Sequence, residues 1–98
     1  MQKRAVADGI RKADNRFWFV YILSLRNGKY YTGYTRDLEE RLWRHAHGMV
    51  PYTVPFRPVQ LVFYCALPDK YMAIAFEKYL KSGSGRAFMN KRLIRRDH

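Results

Sequence analysis

The sequence is short of cysteine and contains no long apolar run. A single cysteine, Cys65, among 98 residues excludes an intramolecular disulfide and a cysteine-rich zinc cluster, and this usage favours the reducing cytoplasm. No apolar run approaches the roughly 18 residues that span a bilayer. The first 16 residues also lack the apolar segment of a secretory signal. These absences predict a cytoplasmic protein that does not insert into a membrane.

Acidic residues are scarce as well. Eight Asp and Glu stand against 19 Lys and Arg, which gives a net charge of +11. Such an excess predicts a polyanionic partner, with nucleic acid ahead of an anionic membrane surface. The aromatic fraction of 16% and the hydrophobic fraction of 48% are high enough for a packed globule. A chain of this length suits one domain with one modest core.

Three segments of the chain have the composition of β-strands. Residues 1–16 are polar and weakly patterned, so we expect a basic, flexible arm before a single domain over residues 17–98. "FWFVYILSL" (17–25) is apolar on both faces, which predicts a central strand. "YYTGYT" (30–35) and "VQLVFYCA" (59–66) predict the second and third strands.

Three further segments have helical patterns: "RDLEERLWRHAHG" (36–48), "KYMAIAFEKYLK" (70–81) and the basic "GRAFMNKRLIRR" (85–96). Asp37, Asp69 and Ser84 are placed to cap the three helices, and Gly48 and Gly83 are placed to end the first two. The predicted order is β-β-α-β-α-α. We therefore expect an α/β domain in which a three-stranded antiparallel sheet is flanked by helices.

The turn between the first two strands decides which tyrosines share a face of the sheet. A two-residue loop at Asn27 and Gly28 would place Tyr21 and Tyr31 on opposite faces. A three-residue loop over residues 26–28, with Gly28 in the left-handed region, would place them on one face together with Gly33. Local propensity does not choose between the two loops.

The order and spacing of five sequence elements provide further information. "FVY" (19–21), "YTG" (31–33), Arg41, His45 and Glu77 resemble the pattern of the GIY-YIG nuclease family. The resemblance covers residues 17–95 and is strongest to small stand-alone members related to the N-terminal domain of the C component of excinuclease ABC. It implies a compact GIY-YIG-like domain. The first triplet lacks the Gly and Ile of the family motif, whereas its tyrosine is retained.

The resemblance also implies an activity. Members of this family are metal-dependent endonucleases, so we expect a phosphodiester hydrolase that acts on DNA. The expected substrates are branched or nicked duplexes, which implies a role in DNA repair or recombination. In such an enzyme Tyr21 or Tyr31 accepts the proton of the attacking water. A shared site favours the three-residue loop, and we expect both phenols to open on one concave surface with Arg41, His45 and Glu77.

The roles of the last three residues follow partly from their chemistry. Glu77 emerges at the edge of an apolar helix face, and one carboxylate can suffice to hold Mg²⁺ or Mn²⁺; the alternative is an ordinary i,i+4 pair with Lys81. Arg41 and His45 lie one helical turn apart, so both can address one site. Arg offers a planar fork to a phosphate. His45 either holds a proton near neutral pH or orients a neighbour by hydrogen bonding.

Basic residues outside this set predict a surface for the phosphates of DNA. The candidates are Lys29, Arg44, Lys81, Arg86, Lys91, Arg92 and Arg95. Because no segment has the features of a base-reading helix, binding is expected to follow shape and charge. Two other functions remain open at this point. One is a non-catalytic DNA- or RNA-binding module with the same fold, and the other is a basic accessory factor that binds RNA or protein.

Overall fold

The structure is a computed structural model that describes residues 16–95. Its strands are β1 (Trp18–Ser24), β2 (Tyr30–Thr35) and β3 (Gln60–Leu67). They form one antiparallel sheet in the order β2-β1-β3, which confirms the three-stranded sheet and the central position of the first strand. The predicted arm over residues 1–16 lies, except for Arg16, outside the part of the chain that the structure describes.

The β1–β2 hairpin has the three-residue loop. Tyr21 pairs with Gly33, so the loop consists of residues 26–28. Gly28 has φ of 86°, a left-handed conformation that glycine adopts without a steric penalty. Tyr21, Tyr31 and Gly33 therefore share one face of the sheet, as the three-residue loop predicts.

The helices follow the predicted order. They are α1 (Leu38–Ala46), a short 3₁₀ turn (Val54–Phe56), α2 (Lys70–Lys81), α3 (Gly83–Phe88) and a final π-helical turn (Met89–Leu93). The sequence β-β-α-β-α-α is confirmed. Within residues 16–95, no helix has both the length and the hydrophobicity that crossing a membrane requires.

Side-chain caps begin both long helices. The Asp37 carboxylate accepts a hydrogen bond from the Glu40 backbone N–H at 3.1 Å, and the Asp69 carboxylate accepts one from the Met72 N–H at 2.9 Å. These bonds satisfy N–H groups that have no partner within the helix. Gly48 follows α1 with φ of 75°. The predicted starts of α1 and α2 and the predicted end of α1 are confirmed.

The C-terminal segment differs from the prediction. Ser82, not Ser84, caps α3, since the Gly85 N–H donates to the Ser82 hydroxyl at 3.1 Å. The chain turns sharply at Ser82, which has extended backbone angles and is the only residue between α2 and α3. Gly83, predicted to end α2, is therefore the first residue of α3. The predicted basic helix is also divided into α3 and the π-helical turn, where the Ile94 N–H bonds the Met89 carbonyl.

The two faces of the sheet bury separate cores. On one face, α1 packs against β1 through Tyr21, Leu23, Leu25, Leu38 and Leu42. On the other face, α2 and the C-terminal segment pack against β1 through Val20, Ile22, Ala73, Leu80, Met89 and Ile94. Tyr30 and Tyr34 join this second core, as their alternation with Tyr31 predicts. β2 is an edge strand, so one of its edges has no neighbouring strand. Since α1 and α2 cover opposite faces of the sheet, this free edge lies between them.

Candidate active site

A cleft of about 570 Å³ runs along the free edge of β2. Tyr31 and Gly33 of β2 form its floor, Arg41 approaches from α1, and Glu77 approaches from α2. The two helices lie on opposite faces of the sheet, and their side chains meet only because β2 has no neighbour on this side. The cleft therefore brings together residues from three elements that are distant in sequence.

The two tyrosines of the motif occupy different depths. Their rings lie on the α1 face with centroids 6.3 Å apart. Tyr31 is partly exposed and lines the cleft, whereas Tyr21 is 0% exposed and does not line it. The expectation that both phenols open on one concave surface is wrong for Tyr21, and it is wrong for His45, which is also fully buried. Tyr21 is on the central strand beneath α1, which places its ring in the core.

Gly33 provides the space that the Tyr21 phenol occupies. A Cβ built on Gly33 would lie 2.6 Å from the Tyr21 hydroxyl oxygen and 2.8 Å from the adjacent ring carbon. Both distances are well below van der Waals contact, so a side chain here would displace the phenol. Because Gly33 has no side chain, the Tyr21 phenol can lie directly against its backbone.

His45 connects Tyr21 to the loop after α1 through buried hydrogen bonds. Its Nε2 lies 2.9 Å from the Tyr21 hydroxyl, and its Nδ1 lies 2.9 Å from the Thr53 hydroxyl. Thr53 donates to the Val50 carbonyl, so it accepts from Nδ1–H. This assigns the Nδ1–H tautomer, in which Nε2 accepts the proton of the Tyr21 O–H.

Burial and charge determine the protonation of this pair. Burial, assisted by the positive charge of Arg41, lowers the pKa of His45 to about 4. The imidazole is therefore neutral at pH 7 and acts as a hydrogen-bonding group, which is one of the two roles that the sequence left open. Burial and the neighbouring Tyr31 raise the pKa of Tyr21 above its usual value, while the nearby Arg41 guanidinium opposes the shift.

Charged side chains of both signs line the cleft. Arg41 is half-buried at its wall, close enough to the Tyr21 phenol to affect its pKa. At the rim, Arg36 and Lys70 lie over the Trp18 ring, with 5.3 Å and 5.5 Å between each charged group and the ring centroid. The lining also contains three acids: Asp37, which caps α1, Glu40, which pairs with Arg44, and Glu77. The charges of the cleft are therefore mixed, and its three cations are the groups that could contact an anionic ligand such as a phosphate.

Glu77 is the carboxylate that α2 contributes to the cleft. Its side chain is only 13% exposed, and Lys81 Nζ lies 2.5 Å from its Oε2, so the ordinary i,i+4 pair is present. Residues 16–95 contain no cluster of three or more His, Cys, Asp or Glu that could enclose a metal. The carboxylates that line the cleft, Asp37, Glu40 and Glu77, do not cluster as metal ligands. Glu77 therefore fits a cation that keeps most of its waters, and Mg²⁺ has that property.

The predicted DNA-binding residues do not form one surface. Lys29, Lys81 and Arg86 line a second groove. Arg44 is ion-paired with Glu40 on α1. The remaining three are exposed at the C-terminal end of the described chain and line neither groove: Lys91, Arg92 and Arg95.

Sequence reasoning missed several residues of the site. Thr53 is fully buried against His45, but it lies in a loop without hydrophobic periodicity. Trp18 and Lys70 each stand at the first position of an element, and only the tertiary fold brings them to the cleft. Tyr52 lines a neighbouring groove, and no local signal distinguishes it from the other apolar side chains of its proline-containing loop.

Comparison with known proteins agrees with this fold. The family model described as the GIY-YIG catalytic domain matches residues 17–92. The chain is 41% identical over 69 residues to the UPF0213 protein BH0048 of Halalkalibacterium halodurans, covering 69% of this chain and 73% of that protein. It is 36% identical over 64 residues to the UPF0213 protein YazA of Bacillus subtilis, covering 64% and 65%.

A solved structure supports the same relationship. The solution NMR structure of the UPF0213 protein BH0048 aligns with a TM-score of 0.50 and 35% identity, and the alignment covers 76% of this chain and 83% of that one. The fold and the family match therefore agree over most of the chain. The chain belongs to the GIY-YIG family, and it is similar to the small UPF0213 members of that family.

Proposed function

We propose that the chain is a metal-dependent endonuclease that hydrolyses phosphodiester bonds in DNA. The observation that carries this proposal is the cleft at the β2 edge. It gathers Tyr31, Arg41 and Glu77 from three elements onto one concave surface. Phosphodiester hydrolysis needs a proton acceptor for the attacking water, positive charge at the phosphoryl group, and help for the leaving oxygen.

Arg41 and Glu77 have complementary parts in this reaction. The Arg41 guanidinium, which is always charged and planar, binds and orients the scissile phosphate. Glu77 is the residue that would hold Mg²⁺ or Mn²⁺ through its carboxylate. When bound there, the cation stabilises the negative charge that develops on the phosphoryl and leaving oxygens.

Tyr31 is the proposed general base, and Tyr21 is a positioning residue. Tyr31 lines the cleft beside Arg41 and Glu77, so a water bound in the cleft can reach its phenol. The Tyr21 phenol is buried, bonded to His45 Nε2 at 2.9 Å, and near the Arg41 side chain. In this proposal it orients the Arg41 guanidinium from beneath the cleft.

The substrate class follows from charge. The net charge of +11 favours a polyanion, and the basic side chains are spread over several surfaces, so recognition should follow DNA shape more than base sequence. We propose branched or nicked duplexes as substrates and a role in DNA repair or recombination in the cytoplasm.

The test is single-turnover cleavage of labelled duplex, nicked, flap, fork and single-stranded DNAs while Mg²⁺ or Mn²⁺ is titrated. Glu77→Gln keeps the volume of the side chain and removes the charge that holds the cation. We expect cleavage to fall by several orders of magnitude and metal-free DNA affinity to persist. Glu39→Gln, an exposed change on α1 outside the cleft, is the matched control and should cut normally. A Glu77→Gln protein that cuts at the wild-type rate rejects the metal role.

A non-catalytic DNA- or RNA-binding module is the second candidate. It is favoured by the pair of Glu77 and Lys81 at 2.5 Å, which gives the carboxylate a structural role without a metal. The same assay separates the two functions. A binder would hold DNA or RNA, leave every substrate intact in either metal, and lose no affinity on Glu77→Gln.

A further inference from the structure

A second groove of about 690 Å³ lies beside the cleft on the β2 edge. Tyr31 lines both spaces. Lys81 lines the second groove and stands one helical turn after Glu77, which lines the cleft. The two spaces therefore adjoin, and a ligand that extends from the cleft toward the β1–β2 hairpin enters the second groove.

The second groove attracts anions. Lys29, Lys81 and Arg86 line it, and its lining contains no Asp or Glu. Lys81 is paired with Glu77 at one end, while Lys29 and Arg86 are exposed. Lys29 stands two residues before Tyr31, which is about 7 Å along an extended strand. That distance is comparable to the spacing of adjacent nucleotides, so a chain of phosphates can continue from the cleft to Lys29.

An exposed aromatic ring stands at the same groove. Tyr52 is 64% exposed. Its ring lies 5.5 Å from the Tyr31 ring and 6.2 Å from the Phe56 ring, measured between centroids. Two aromatic neighbours hold the ring in place and leave most of it open to solvent. An exposed, oriented ring beside a basic groove is the arrangement on which unpaired bases stack.

Single-stranded DNA fits this groove better than a duplex does. In a duplex, each base is covered on both sides by its neighbours, so its face cannot reach a ring inside a concave site. A groove of this volume is also in the range of sites for single small ligands. An unpaired nucleotide satisfies both conditions.

We propose that this groove binds an unpaired nucleotide of the DNA strand being cut. Its base stacks on Tyr52, and its flanking phosphates contact Lys29 and Arg86. The placement of the scissile phosphate next to this nucleotide, in the cleft, rests on the proposed nuclease function. The binding of the unpaired nucleotide in the groove does not. The substrate class is therefore DNA with an unpaired segment next to the cut, such as a flap or a single strand.

The experiment measures binding without cleavage. Fluorescence anisotropy with a labelled oligo(dT) and with a blunt duplex of equal length, both in EDTA, gives two affinities for each variant. Tyr52→Leu should weaken single-strand binding by about 5- to 150-fold, the range for loss of one stacked base, and leave duplex binding within about twofold, as expected of a surface substitution. Tyr52→Trp should retain single-strand affinity. Tyr64→Leu, at an exposed tyrosine of β3, is the matched control and should bind like the wild type.

A second variant tests the cationic half of the groove. Lys29→Ala combined with Arg86→Ala should reduce the slope of log K against log salt for oligo(dT) by about 0.7 for each phosphate interaction that is removed. The proposal is overturned if Tyr52→Leu weakens duplex and single strand equally, or if neither variant changes oligo(dT) binding. Because these assays contain no metal, a protein that binds as expected but never cuts refutes the proposed nuclease and leaves this groove assignment intact.

Discussion

Lowering the pH should destabilise this fold through His45. The imidazole is fully buried, and its pKa in the folded state is about 4, against an ordinary value of 6.5. Below pH 6.5 the unfolded chain therefore binds a proton that the folded chain does not. Protons favour the unfolded state in this window, so stability is complete above pH 6.5 and is lost as the pH falls toward 4.

The size of the expected loss of stability follows from the shift in the pKa of His45. Each pKa unit corresponds to about 1.4 kcal/mol, so the full loss through His45 is about 3 kcal/mol. Between pH 7 and pH 5, where most carboxylates are still ionised, the expected loss is about 2 kcal/mol. Small domains unfold with roughly 5–15 kcal/mol, so this loss is a large fraction of the total.

The assay is urea unfolding of the wild type and of His45→Gln at pH 7, 6 and 5. The wild-type free energy of unfolding should fall across this range, and that of the variant should stay nearly flat. An NMR titration of the His45 ring in the wild type provides a check that needs no variant. Parallel pH profiles for the two proteins, or an imidazole that titrates near 6.5, would refute the argument that burial and Arg41 keep this ring neutral.

Three other outcomes are expected. Tyr31→Phe should slow single-turnover cleavage by roughly 10²–10⁴, the usual contribution of a general base, and Tyr21→Phe should slow it less; the reverse order would assign the base to Tyr21. Gly33→Ala should lower the free energy of unfolding by about 1–3 kcal/mol, because its Cβ displaces the Tyr21 phenol, whereas Gly83→Ala, where no atom lies within 4 Å, should be nearly neutral in urea unfolding. The third change replaces Lys91, Arg92 and Arg95 with Glu. It should weaken duplex binding and flatten the slope of log K against log salt by about 0.9 for each phosphate interaction that is removed. An unchanged slope would place the DNA contacts elsewhere.

Local sequence signals predicted much of this fold. Asp37 and Asp69 stand immediately before apolar-periodic segments, and the structure uses both as helix caps. Each cap depends on a few neighbouring residues, so the sequence contains its whole physical cause. The turn is different: Asn27 and Gly28 locate it and Gly28 is left-handed, but local propensity allowed either loop, and the expected shared tyrosine site favoured the three-residue one.

The features that sequence reasoning missed depend on packing between distant elements. The depth of Tyr21 depends on how closely α1 lies over β1, and nothing in residues 17–25 records that distance. Thr53 meets His45 only because the loop after α1 folds back over the sheet. Ser84 was a reasonable cap by composition, but the turn at Ser82 started α3 earlier. For Tyr21 and Thr53 a tertiary contact decided between locally equivalent alternatives, whereas at Ser82 the deciding contacts are local, to Tyr79 and Gly85.

The position of β2 at the sheet edge explains how the site is assembled. Side chains on opposite faces of a sheet are separated by the backbone layer, so Arg41 on α1 and Glu77 on α2 could not meet across the central strand. At a free edge they reach around β2 to the same cleft. An open edge strand also invites pairing with another chain, and charged residues are a common protection against it. Lys29 precedes β2 and Arg36 follows it, so the charge that discourages strand pairing also stands beside the two grooves and attracts a polyanion.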